Sequence, residues 1–264
     1  MNSTYPFDSY TPSGFGATSF AIFVYLSLVA WFVQSLHGKC QPRLLSVFVF
    51  VAHLTVFIEL VLRATVHNDV LHTTTLYKIR APLISVPARF ILLANYHCLV
   101  ELRGQKPHRP LDRIIDAVVL VFALSADILL AIANELSLKP NHLYLSFYLR
   151  QASAICVLSL ALFYYLVWYL AVPHVRRLYV LPLLAISSAC VLIEAVYILL
   201  TSIPFLFNVL SQKELWFYVG HLVPLAVALC SWSIYHPWRL LPPLERDIPH
   251  DSAGKELLPP PSLI

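Results

Sequence analysis

Apolar positions along this chain neither alternate, as in a half-buried strand, nor recur every third or fourth residue, as on a surface helix. They run on in long blocks. A hydrocarbon core takes roughly 20 residues of helix. Seven blocks reach that length: Thr18–Leu36, Leu44–Val66, Ala81–Leu102, Ile114–Asn134, Tyr144–Ala171, Leu178–Ile203 and Trp216–His236. The connections between them are short, which predicts an all-α fold: a polytopic membrane protein with one seven-helix transmembrane bundle over residues 18–236. Residues 1–17 are polar and rich in Gly, Ser and Thr, and read as an extracellular tail. Residues 237–264, with "LLPPLERD" and "LLPPPSLI", form a Pro-rich cytosolic tail expected to be disordered.

Composition sharpens this picture. The 264 residues are 59% hydrophobic and only 12% charged, against about 25% charged in ordinary soluble domains. A soluble fold has too little polar surface here to cover so much apolar material. The net charge of +4 matters less than its placement. With the N-terminus outside, the inner side holds eleven basic residues: Lys39, Arg43, Arg103, Lys106, Arg109, Arg113, Arg176, Arg177, Arg239, Arg246 and Lys255. The outer side holds four, namely Lys78, Arg80, Lys139 and Lys213. The excess predicts an external N-terminus and a cytosolic C-terminus. The inner run "RGQKPHRPLDR" reads as a positive-inside anchor, with a specific anionic-lipid site as the alternative. No basic-aromatic patch points to nucleic acid.

The first block lacks a preceding basic segment and reads as a retained anchor, not a cleaved signal. Asn2-Ser3-Thr4 is a sequon on the expected outer side, or a chance tripeptide. None of the five cysteines, Cys40, Cys98, Cys156, Cys190 and Cys230, falls in an expected outer loop, so no extracellular disulfide framework is predicted. Cys40 beside the first span reads as a free thiol or a site of acylation.

Candidate chemistry lies inside the spans. The second holds His53, Glu59 and Arg63; the third Arg89, Asn95 and His97; the fourth Asp127; the fifth Arg150 and Gln151; the sixth Glu194; the seventh His221. With a rise of about 1.5 Å per residue, Glu59, Arg63, Arg89, Asp127, Arg150, Glu194 and His221 all fall in the outer half. Ionisable groups at membrane depth are costly and face the bundle interior. These seven are the candidate ligand-binding residues, with mutual pairing that locks the bundle as the alternative. Glu59 and Arg63 share a helix face at i, i+4. Pro87 and Pro224 each remove a backbone hydrogen bond, and Pro224 frees the Gly220 carbonyl beside His221. Asp116 and Glu101 are expected to cap or neutralise the basic inner loop.

Several seven-span classes do not fit. The last span has no lysine for a retinal Schiff base, the third no outer cysteine, the seventh no Asn-Pro-x-x-Tyr, and His221 and His236 are too far apart for a His-x-x-x-His metal site. Glu214, Tyr218, Pro224 and the closing His236-Pro237 resemble the final span of the fungal lipid-translocating exporter family, the RTA-like, aminocholesterol-resistance type. "FIELVLRA" and Ala81-Pro82 are similar to that family's second and third spans, so the likeness runs from about His37 to Pro237. His221 stands where the family has an acid, Glu59 lacks the following Gly-Tyr, and Glu194 and Ile198 replace arginines, which marks a divergent member. The resemblance implies a plasma-membrane protein that moves or exports an amphipathic lipid, such as a sphingoid base or sterol-like amine. A receptor-like sensor of a lipid or stress ligand is the alternative. No nucleophile–base or metal constellation predicts an enzyme, and no cofactor is expected.

Overall fold

The computed structural model describes residues 13–38, 42–65, 73–103, 110–172 and 180–236. Both expected tails, the sequon, Cys40 and the side chains of the basic run 103–113 lie outside what it describes, apart from Ser13 to Ala17. The described residues form helices and their connections, with no strand among them. They are α1 (Gly14–His37), α2 (Arg43–Thr65), α3 (Thr74–Arg103), α4 (Pro110–Ser137), a 3-10 turn (Pro140–His142), α5 (Leu143–Ala171), α6 (Leu181–Thr201), a short α7 (Pro204–Leu210) and α8 (Glu214–Ile234). Seven of them are long and apolar enough to cross a membrane.

The helices close into a ring in which α1 meets α8, while α3 sits inside and touches α2, α4, α5, α6 and α8. Burial follows this arrangement: 61% of the apolar window of α3 is buried, against 22% for α4 at the periphery. The outward faces of the bundle carry bare aliphatic and aromatic side chains such as Val121, Phe122, Leu124 and Ile128. Hydroxyls along the spans turn inward on their own helix. Thr55, Thr65, Ser125 and Ser231 each donate to the carbonyl four residues back, which satisfies the group without water.

Helix ends differ from the sequence expectation for identifiable reasons. α1 begins at Gly14, because Ser13 is an N-cap whose hydroxyl accepts from the Gly16 amide. The Ser13 amide in turn donates to Glu214 Oε1 at 2.9 Å, joining the starts of α1 and α8. α3 begins at Thr74 and carries Pro82 inside it, so the proline does not open the span. The added turns are held by Tyr77 to Asn134 and Lys78 to Glu135, both across to α4. The connection after α6 contains α7, with Pro204 at its first position and Phe207 packed edge-on against Phe147 of α5.

Towards the His37 end of the bundle, neutral hydrogen bonds pin the helices. His53 Nδ1 lies 2.8 Å from the Val49 carbonyl. A carbonyl only accepts, so Nδ1 carries the hydrogen and Nε2 accepts from the Ser27 hydroxyl at 3.0 Å. Ser233 of α8 donates to the Ser27 carbonyl, which ties α1, α2 and α8 together. Trp232 donates to Ser187 of α6, and Ser187 to Asn95 of α3. His236 packs on Trp31 and meets Ser35 at 2.9 Å.

The last span is not a uniform α-helix. Glu214–Phe217 is α, Tyr218–Leu222 is π, and Val223–Ile234 is α again. The Val223 amide reaches back five residues to the Tyr218 carbonyl. Pro224 has no amide to give Gly220, and the wider turn absorbs that missing bond. Gly220 also lies flat against the Tyr197 ring of α6: a Cβ there would stand 2.2–2.8 Å from three ring carbons. Gly220→Ala is therefore expected to lower stability by about 1–3 kcal/mol, read as a lower thermal midpoint in detergent or nanodiscs. Tyr197→Ala added to it should recover part of the loss. Equal midpoints for wild type and Gly220→Ala would refute the tight contact.

Candidate functional site: an ionic cluster at membrane depth

One turn of α2 sets the centre of the site. Glu59 and Arg63 are four residues apart on the buried face, and Arg63 Nε donates to Glu59 Oε1 at 2.5 Å. The same oxygen receives Arg80 of α3 at 3.4 Å. One carboxylate thus faces two guanidiniums, with Glu59 and Arg63 both buried. The Arg63 guanidinium carbon also lies 3.7 Å from the centroid of the Phe217 ring of α8, a cation–π contact in a desolvated setting. On the same helix, the Phe217 ring packs against the His221 ring at 4.9 Å.

His221 carries the cluster across to α6. Its Nδ1 lies 2.9 Å from Glu194 Oε1, and both side chains are buried. The contact lacks the alignment of a hydrogen bond, so neither Glu194 oxygen has an aligned donor among the described residues. Arg89 of α3 attracts the Glu194 carboxylate electrostatically. It is itself ion-paired to Asp127 of α4 and donates to Ser153 of α5 at 3.0 Å. Ser153 passes the chain on by donating to the Ala126 carbonyl at 2.7 Å.

Glu59, Arg63, Glu194 and His221 therefore meet, and Arg89 with Asp127 adjoins them. Two features depart from the expectation. Arg150 stands in a different constellation, where it donates to Tyr77 at 2.9 Å and to Asn134 at 3.1 Å near the Gly14 end. Asp127 does not face the interior alone: its side chain is 39% exposed on the flank of α4, against 4% for its partner Arg89. Both belong near the midpoint of their spans, because α3 and α4 run longer at the Gly14 end than the hydropathy blocks suggest. Arg80 and Phe217 are the participants that the sequence reading left out. Arg80 precedes the third apolar block and so reads as part of the outer side, and a phenylalanine in an apolar run carries no signal of cation contact.

Other expectations resolve simply. Glu101 approaches His97 at 3.9 Å, one turn away on α3, and the Asp116 side chain lies outside the described residues. Cys98, Cys156, Cys190 and Cys230 are free thiols. A shallow groove of about 280 Å³ opens between α1 and α2, with Ala21, Ile22, Tyr25, Phe57, Val61 and Ala64 among its walls.

Against known proteins, the chain matches no family model, no curated protein and no solved structure. What the fold itself defines is a multi-pass membrane protein built on seven apolar helices.

The pairing makes a graded prediction. Glu59→Gln leaves two guanidiniums facing a neutral amide in a desolvated site, at an expected cost of about 3–5 kcal/mol. Lys78→Ala removes only the exposed pair with Glu135 and should cost no more than about 1 kcal/mol. Comparing unfolding of the two variants in one detergent checks the order, and equal losses would contradict it.

Proposed function

We propose that the protein moves an amphipathic, amine-bearing lipid, such as a sphingoid base or sterol-like amine, across the plasma membrane. The substrate class and the location rest on the resemblance of Glu214, Tyr218, Pro224 and His236-Pro237 to the lipid-translocating exporters. The observation that carries the reading is the position of Asp127. Its carboxylate is part-exposed on a membrane-facing flank, among apolar neighbours, and is backed by a buried Arg89. An ammonium headgroup entering sideways from the bilayer meets this carboxylate before any interior group. Exchange of Arg89 for a lipid amine as the partner of Asp127 then passes the headgroup towards Glu194, which Arg89 also attracts. In this scheme Glu59, Arg63 and Arg80 hold the helices in register, while Arg150 secures the Gly14 end through Tyr77 and Asn134.

The test is efflux of a labelled long-chain base from cells with and without the protein. Efflux should rise with the protein present. Asp127→Asn should reduce it at least about tenfold, the equivalent of roughly 1.4 kcal/mol, at an unchanged surface level. Asp127→Glu should restore part of it. Identical efflux with and without the protein would remove the transport reading, and saturable binding without flux would favour a lipid sensor instead.

A further inference from the structure

We infer that Glu194 and His221 form a buried proton-binding site, seated on the π-turn of α8. Three features of the pair carry this. The first is a carboxylate buried completely, with neither oxygen receiving an aligned hydrogen bond from the described residues. Groups of that kind require an explanation beyond packing. The second is the imidazole nitrogen 2.9 Å away. Two bare lone pairs at that distance repel, so one of the two groups carries a hydrogen, and a small rotation of the ring or the carboxylate aligns it. The third is the backbone: His221 lies in the π stretch Tyr218–Leu222, and such insertions concentrate at functional positions.

The surrounding charges leave this imidazole as the adjustable one. Glu59, Asp127 and Glu194 are matched by Arg63, Arg80 and Arg89, three against three. From α3, Arg89 acts on Glu194; from α2, Glu59 acts on His221, and Arg63 lies across the Phe217 ring from it. Cys190 on α6 feels Glu194 as well. From α5 comes the neutral Ser153 hydroxyl that holds Arg89, from α1 the Phe20 ring stacked on Tyr218, and α7 carries no ionisable residue. Tyr218, one turn before His221, interacts electrostatically with Glu214 at the start of α8 and with Glu59 and Arg63.

Proton uptake adds one N–H bond to the second ring nitrogen and breaks none in the protein. The neutral ring becomes an imidazolium whose counter-ion is the Glu194 carboxylate. Release returns the ring to neutrality, and the charge of the cluster changes by one. The site shares Glu194 with the proposed lipid path, but proton binding by the pair does not require a lipid.

The experiment is infrared difference spectroscopy of the full chain in nanodiscs between about pH 5 and about pH 8, with ring-labelled histidine marking the imidazole bands. One titrating histidine band should vanish in His221→Gln. In Glu194→Gln, which removes the counter-ion, the midpoint of that band should move by at least about one unit. A His221→Gln spectrum superimposable on the wild type overturns the site, as does an unmoved midpoint in Glu194→Gln. If either variant fails to fold, the other decides alone. Identical efflux with and without the protein, with the titration intact, counts against transport and not against this site.

Discussion

An ion taken out of water must find an opposite charge or it unfolds the segment that carries it. That requirement organises the Gly14 half of this bundle. The desolvation cost is several kcal/mol per ion, so Glu59 placed on α2 obliges some other helix to bring a cation to the same depth. Arg63 answers locally and Arg80 answers from α3. Pairs of this kind add little net stability over apolar packing. Their effect is on register: slide α3 by one turn against α2 and Arg80 loses its partner. The cluster thus specifies which helices are neighbours at which height, something a set of interchangeable leucines does poorly.

The other half of the bundle solves the same problem with neutral groups. His53, Ser27 and Ser233 close a three-helix hydrogen-bonded knot, and Trp232, Ser187 and Asn95 tie α8 to α6 and α3. A neutral hydrogen bond costs far less to bury than an ion. The proposed headgroup path and the proposed proton site both draw on the ionic half.

Hydropathy made the seven helices legible, because length and apolar content suffice for a span. The convergence of Glu59, Arg63, Glu194 and His221 was also readable, since charge at membrane depth on alternating helices leaves few arrangements that pair it. Helix extensions were not readable. Thr74 to Arg80 is a polar stretch followed by a proline, and only its contacts with α4 and with Glu59 make it helix. Arg80 was lost with it. Arg150 misled for the opposite reason: depth counted from an apolar block placed it level with the cluster, yet depth says nothing about azimuth. It points between α3 and α4 instead, where Tyr77 and Asn134 receive it.

The π-turn in α8 shows how local and tertiary demands meet at one residue. Pro224 alone asks for a break in the hydrogen-bond ladder near Gly220. A simple kink would meet that demand and would swing the start of the helix away from its neighbours. Inserting a residue's worth of extra turn meets it without the swing, so Glu214 still reaches Ser13 and Tyr218 still stacks on Phe20. The same insertion rotates His221 onto Glu194, while Gly220, bare of any Cβ, lets the Tyr197 ring close over the widened backbone. A helix one residue shorter between Phe217 and Pro224 would turn the imidazole by about 100°. Glu194 would then keep Arg89 as its one charged neighbour, and the pair that makes this end of the bundle titratable would not exist.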